Sequence, residues 1–164
     1  MIYTSDLCDR IKDQPDGDVR VLPMIFKSYG ARHAFSGHVV TVQCLDDNSW
    51  VKRCVEQPGE GRVLVIDGAA SMRKALLGGN LGHAAASNGW AGVVVYGCVR
   101  DSHELATADV GILALGSIPL PTDRREQGLH QVPVQIQGVW IRPNDWLAAD
   151  ADGLVVASAP LTFQ

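Results

Sequence analysis

Apolar positions along the chain fall into three patterns, and each predicts a different kind of element. A short helical pattern runs from about Ser5 to Lys12, with Thr4 or Ser5 as its N-cap. A loop through Pro15, Asp16 and Gly17 and an apolar stretch from Val19 to Phe26 follow. Val39 to Val42 reads as a strand closed by the turn Asp46-Asp47-Asn48. Asp47 or Asn48 then caps a helix that runs to about Gln57 and stops at Pro58-Gly59. In the centre, two unbroken apolar runs, Val63 to Ile66 and Gly92 to Tyr96, end in Asp67-Gly68 and Gly97. Strands without a polar face are buried on both sides, and alternation with helices makes them parallel βαβ units. Ser71 to Leu77 and Leu81 to Asn88 read as the helices between them, broken at Gly78-Gly79, so Arg73 and Arg100 each follow a strand in a loose pseudo-repeat. The last third changes period. Val132, Val134 and Ile136, then Val139 and Ile141, alternate with polar residues, with turns at Gln137-Gly138, Pro143-Asn144 and Asp152-Gly153 and a last strand from Leu154 to Ala157. The expected fold is one α/β domain over residues 1–164, with a parallel βαβ centre and antiparallel C-terminal strands.

Composition narrows the class. With 46% hydrophobic and 20% charged residues the chain has material for a core, which excludes a disordered chain. No apolar run has the length of a membrane span, and the polar N-terminus does not read as a secretory signal, so a cytoplasmic location is expected. A net charge of −4 with scattered basic residues argues against direct nucleic-acid binding and suits a basic protein partner. Cys8, Cys44, Cys54 and Cys98 have no zinc spacing and read as free thiols; the five histidines show no HxH or HExxH pattern. His83 and His103 fall on predicted helices and read as surface or core residues, and Trp90, Trp140 and Trp146 as core or interface anchors.

In open α/β sheets ligands sit beyond the carboxyl ends of the strands. Two loops meet that condition: Asp67 to Ser71, and Gly97 to Asp101. Gly78-Gly79-Asn80-Leu81 starts a helix between them; its backbone N–H groups suit an anion, although a Gly-Gly pair also simply breaks a helix. Arg100 offers a fork of donors to a carboxylate or carbonyl, and Asp101 a hard oxygen to Mg²⁺ or Mn²⁺. Asp101-Ser102-His103-Glu104 also reads as a capping box, and one carboxylate can serve both roles. Cys98, without a visible base, reads as a buried filler.

The stretches Gly61 to Leu76 and Gly89 to Asp101, together with Tyr29 to Gly37, Asp46 to Asn48, Asp109 to Ile112 and Asp150 to Gly153, resemble the family of the regulator of ribonuclease activity A, which also contains the class II 4-hydroxy-4-methyl-2-oxoglutarate aldolases. The resemblance implies a swivelling-type β/β/α domain assembled as a homotrimer, and a divalent-metal lyase that cleaves 4-hydroxy-4-methyl-2-oxoglutarate to pyruvate and decarboxylates oxaloacetate through a pyruvate enolate. It implies that the backbone of Gly78, Gly79, Asn80 and Leu81 holds the substrate carboxylate, that Arg100 binds the keto acid and stabilises the enolate, and that Asp101 holds the metal. The aldolase pattern has an acid 21 positions before the arginine, where this chain has Gly79; Arg100, Asp101 and Glu104 are retained. The other reading the resemblance carries is a non-catalytic inhibitor that binds an endoribonuclease rather than RNA.

Overall fold

The structure is a computed structural model and describes residues 3–12 and 18–161. In chain order the elements are α1 (Thr4–Lys12), β1 (Val19–Leu22), β2 (Lys27–Ser28), β3 (Phe35–Gln43), α2 (Ser49–Val55), β4 (Val63–Asp67), β5 (Ala75–Leu77), α3 (Gly79–Ser87), β6 (Gly92–Val99), α4 (Ser102–Leu105), β7 (Gly111–Ser117), β8 (Leu129–His130), β9 (Val134–Ile136), β10 (Val139–Ile141), β11 (Trp146–Ala149) and β12 (Leu154–Ala157). The expected loop at Pro15 to Gly17 lies outside the described residues.

Strand β3 joins the two halves of the sheet. Its first residues, Phe35 to His38, pair antiparallel with β11, and Val39 to Gln43 pair parallel with β4. From there β4, β6 and β7 continue the parallel run, while β12 and β1 extend the antiparallel side. The unbroken apolar runs are explained by the layers on either face. In β4, Leu64 and Ile66 face the helices, against Val51, Leu81, Ala85 and Leu105. Val63 and Val65 face the other way, against Val134, Ile136, Ile141, Leu147 and Leu154 from the C-terminal strands. Both faces are dry, as parallel strands require. The result is a β/β/α arrangement in which the tail forms the second β layer. Its tight β9–β10 hairpin turns at Gln137 (φ 51°) and Gly138 (φ 75°), the two positive φ values of a type I′ turn.

Local details correct several expectations. Ser71 to Leu77 is not helical: residues 71–74 are irregular, with a bend at 73–74, and Ala75 to Leu77 are strand β5, paired with Cys98 and Val99. Strand β4 ends opposite Tyr96, so β6 runs on with an open edge, and β5 fills it. Tertiary pairing here overrides good helix formers. Gly97 is likewise not a turn, because β6 continues through it to Val99 with a register shift. Thr4 is a helical residue whose amide and hydroxyl bond the Asp150 carboxylate at 2.7 and 2.6 Å, so it docks α1 on the tail rather than capping it. Asn48 occupies the N-cap position of α2 without a side-chain capping bond; Asp47 Oδ1 accepts the Ser49 amide at 2.9 Å instead.

Several motif residues have packing reasons. The Phe35 ring fills the space above Gly92 and Gly111, where a Cβ on either glycine would strike it. Gly30 lets its segment lie against Val110, and Tyr29 and Ala31 donate to the carbonyls of Ile112 and Ala108 at 2.8 and 3.0 Å. Trp90 is buried in the helix-side core, Trp140 is exposed, and all four cysteines are free. Among the described residues, no helix is long and apolar enough to cross a membrane.

Candidate active site

The site is built where three chain segments meet at the carboxyl end of β6. Leu77 closes β5 and accepts the Arg100 amide at 2.9 Å, which sets Gly78 and Arg100 side by side. Gly78 is fixed by contact: a Cβ there would lie 2.9 Å from Asp101 Oδ2 and 3.2 Å from Arg100 Nε. Directly after it α3 begins, so a helix N-terminus, with its unpaired amides, faces the arginine. Asp101 Oδ2 accepts the Gly79 amide at 2.9 Å. The amides of Asn80 and Leu81 meet no protein acceptor among the described residues and remain free for an anion.

Asp101 stands in the left-handed region, with φ 56° and ψ 45°. Among non-glycine residues only Asn and Asp visit that region readily, and such positions collect at functional sites. The capping box does not form. Asp101 makes no side-chain cap, and the Glu104 amide bonds the Asp101 carbonyl at 2.9 Å instead. The Glu104 side chain lies over Gly79, on the spot a Cβ there would occupy. Arg100 Nε and Asp101 Oδ2 are 3.9 Å apart, and both side chains are more than a third exposed, so their mutual attraction adds little stability. Arg100 thus keeps most of its donors for a ligand.

A cavity of about 90 Å³ lies between Gly78 to Leu81, Arg100 and Asp101 on one side and Thr122 and Arg124 on the other. The sequence reading did not include this roof. It is tied down by the tripeptide Asp47-Asn48-Ser49. Asp47 Oδ2 accepts the Arg125 amide at 2.6 Å, and Ser49 Oγ accepts the Glu126 amide at 3.1 Å. Burial alone would raise the Asp47 pKa, but bonds from Ser49 and the Arg125 and Gln127 amides outweigh it and hold the carboxyl below its ordinary value. The only sequence signal was a cluster of acceptors just before α2 and a pair of arginines far along the chain.

The first candidate loop does not join the site. Asp67 Oδ1 accepts the Ala69 amide at 3.0 Å, and the amides of Gly68 and Ala70 donate to the Tyr96 carbonyl. Cys98 is fully buried, and desolvation raises its pKa, as expected of an inert thiol. His83 and His103 lie exposed on α3 and α4. A larger cavity of about 350 Å³ lies against α2, between Trp50, Trp90, Arg53 and Arg62. Its arginines are engaged: Arg62 bonds the carbonyls of Gly59 and Pro58, each at 2.9 Å, and Arg53 pairs with Glu126. The smaller cavity has the unsatisfied donors.

The donor set bears on metal binding. Among the described residues no group of three or more His, Cys, Asp or Glu is arranged to hold an ion. Those residues form no caged site of the zinc type. Asp101, with Oδ1 left free by the Gly79 bond, fits a Mg²⁺-like ion that keeps most of its own waters.

A three-layered β/β/α domain carries, at one strand end, an arginine, a carboxylate and free helix-start amides around a small cavity, donors whose chemistry suits a small anion. Comparison with known proteins makes this specific. An RraA-like family profile, described as Aldolase/RraA, matches residues 4–156, and the chain belongs to that family. A relative from Albidiferax ferrireducens, provisionally named a 4-hydroxy-4-methyl-2-oxoglutarate aldolase, is 55% identical over 96% of both chains. The solved structure titled RNA-processing inhibitor RraA from Thermus thermophilis superposes with a TM-score of 0.93 at 42% identity, covering 99% of this chain and 96% of that one. A structure from Geobacillus kaustophilus HTA426, titled S-adenosylmethionine: 2-dimethylmenaquinone methyltransferase, gives a TM-score of 0.92 at 39% identity, covering 98% and 97%.

Proposed function

We propose that the chain is a lyase that acts on a short 2-oxo acid through its pyruvate enolate, cleaving 4-hydroxy-4-methyl-2-oxoglutarate and decarboxylating oxaloacetate. The observation that carries this reading is Arg100 at the end of β6, set against the free amides that start α3. The naming of the Albidiferax ferrireducens relative supports the aldolase reaction. The Asn80 and Leu81 amides receive the substrate carboxylate, and Arg100 faces the 2-oxo group. In either reaction the bond beyond C3 breaks and its electron pair moves into the C2 carbonyl. The oxygen gains negative charge, which the Arg100 guanidinium is placed to stabilise; such preorganised donors are commonly the largest catalytic contribution. Protonation at C3 then gives pyruvate. Retro-aldol cleavage also needs the C4 hydroxyl proton removed, whereas decarboxylation releases CO₂ and needs no base there. Asp101 is the residue to hold Mg²⁺ or Mn²⁺, which when bound polarises the same oxygen. The cavity of about 90 Å³ suits a small acid better than a nucleoside-sized methyl donor.

Pyruvate release from both substrates, measured with Mg²⁺ and with EDTA, tests the reading. EDTA is expected to abolish activity and Mg²⁺ or Mn²⁺ to restore it, and Asp101→Asn to raise the metal concentration required steeply with the fold intact. Full activity of a metal-free preparation in EDTA would remove the metal, and no pyruvate from either substrate would remove the lyase. The proposal includes a homotrimer, of about three times 17.6 kDa in light scattering. The Thermus thermophilis title supports a second reading, an inhibitor docked on an endoribonuclease; inhibition of ribonuclease cleavage by a preparation without lyase activity would favour it.

A further inference from the structure

We propose that the larger cavity, against α2, is a separate binding site for the anion of a planar aromatic monocarboxylic acid. It shares no lining residue with the small cavity, and it stands whether or not the lyase reading holds. At about 350 Å³ it has the size of a small-molecule site. Its walls are rings that the protein holds in place before any ligand arrives. Trp50 stacks on His130 with centroids 4.8 Å apart and planes 17° apart, and the Arg53 guanidinium lies over Trp50 at 4.8 Å. Trp90 donates from Nε1 to the Gln57 carbonyl at 3.1 Å, and Arg62 lies over its ring at 5.3 Å. Val40, Cys54 and Trp90 are buried and form an apolar floor. Fixed rings over an apolar floor favour a flat apolar body, with little ordering left to be done on binding.

Charge decides which flat body fits. The chain carries a net charge of −4, yet among the described residues this cavity is lined by two arginines and by no Asp or Glu. Arg53 is answered by Glu126. Arg62 is not: the Gly59 and Pro58 carbonyls that accept its Nε and Nη2 fix the guanidinium without neutralising it. Nη1 lies outside both bonds, and no carboxylate pairs with Arg62 among the described residues. The charge reaches across the cavity. Burial first, and then the positive charge of Arg62, hold the His130 pKa below its ordinary value, so the imidazole adds no second cation at pH 7. One uncompensated guanidinium balances one negative charge, and its planar fork suits a carboxylate. A neutral aromatic would leave that charge unanswered, and a bare carboxylate would leave the apolar floor in water.

The test titrates the full-length protein with 2-naphthoate, its neutral analogue 2-naphthylmethanol, and acetate. Affinity is read by calorimetry and the place of binding by the indole N–H signals in NMR. 2-Naphthoate is expected to bind about tenfold more tightly than the alcohol, the scale of one hydrogen-bonded charge. It should exceed acetate by at least about tenfold, because the rings cover the floor. The Trp50 and Trp90 indole signals should shift. Arg62→Gln should level acid and alcohol, Arg62→Lys should restore part of the preference, and Trp50→Leu should weaken both ligands alike by about fivefold. Arg100→Gln should leave all three affinities as they are. The proposal is overturned if wild type binds 2-naphthoate no better than the alcohol or acetate, a comparison that needs no variant to fold. It is overturned as well if Arg62→Gln keeps the preference, or if Arg100→Gln abolishes binding. Absence of any binding, as when a second copy of the chain covers this face, would also overturn it.

Discussion

The two strand ends at the centre of the parallel sheet start from similar sequence and reach opposite outcomes. After β4, Asp67 turns back on the Ala69 amide, Gly68 and Ala70 bond the Tyr96 carbonyl, and Ala69 and Ala70 both sit at φ 57°. Ser71 and Arg73 then bond the Asp46 carboxylate at 2.6 and 2.8 Å. These donors have found acceptors within the protein, and no helix follows. After β6, Asp101 takes only the Gly79 amide, and the Arg100 guanidinium and the Asn80 and Leu81 amides stay open toward one cavity. A strand end therefore becomes a candidate site through the donors it leaves unsatisfied, more than through its glycines or its arginine. The first junction is a closed latch, and the second keeps its donors open.

The sharpest way to break this comparison is to make the same change at both junctions. Arg100→Lys replaces a planar fork with a point charge facing the developing oxyanion, and is expected to lower pyruvate release by about 10² to 10³. Its melting temperature should barely move, because Arg100 makes only a long, exposed contact with Asp101. Arg73→Lys, on an exposed pair with Asp46, should change turnover by less than about twofold. Similar losses at the two positions, read from oxaloacetate turnover, would erase the distinction.

Position 79 sharpens the comparison at the second junction. Gly79 is an ordinary helical residue of α3, so its backbone accepts a side chain, but the space is held by Glu104. Gly79→Asp alone sets two carboxylates against each other, which opposes ionisation of both. Gly79→Asp with Glu104→Ala removes the obstacle and places an acid at a helix start, where it is favoured. The double variant is expected to raise aldol cleavage relative to decarboxylation by up to about 10², a typical general-base contribution, and the single variant by less. Equal change in both rates would show that the acid does not serve the hydroxyl proton.

The sheet was readable in the sequence wherever one residue pattern meets one environment. Val63 to Ile66 and Gly92 to Tyr96 lie between two dry layers, and Val134 to Ile141 alternates because only one side is packed. Strand β5 was not readable: Ser71 to Leu77 is rich in helix formers, and the open edge of β6 that claims it exists only after folding. The candidate site divides in the same way. Arg100 and Asp101 stand at a strand end, a position the local pattern reveals. The roof depends on Asn48 meeting Thr122 and Arg124 across 74 and 76 residues, and nothing local marks that pairing.

The smallest expected effect tests the latch itself through pH. Burial alone would raise the Asp46 pKa, but the bonds from Ser71 and Arg73 outweigh it, and the carboxyl lies below its ordinary value. A folded pKa held below the unfolded one means that the native state prefers the ionised group. The stabilisation is then present above the unfolded value of about 3.9 and is lost as pH falls through the lower folded value. Asp46→Asn keeps an acceptor for Ser71 and tolerates the positive φ of 51° at this position, so it removes chiefly the charge. Its expected cost is about 1 kcal/mol at pH 7, kept small because Arg73 is 68% exposed and the pair is screened by water. Denaturant unfolding at pH 7 and at about pH 3 should show the gap between wild type and variant closing at the lower pH. A gap that persists undiminished would mean that the carboxylate charge is not what holds the turn. Oxaloacetate turnover of the variant at pH 7 should stay within about twofold of wild type, the range expected of a surface pair that touches no ligand. Loss of turnover together with the latch would show that the two junctions are mechanically one, and that the closed loop after β4 helps position Arg100.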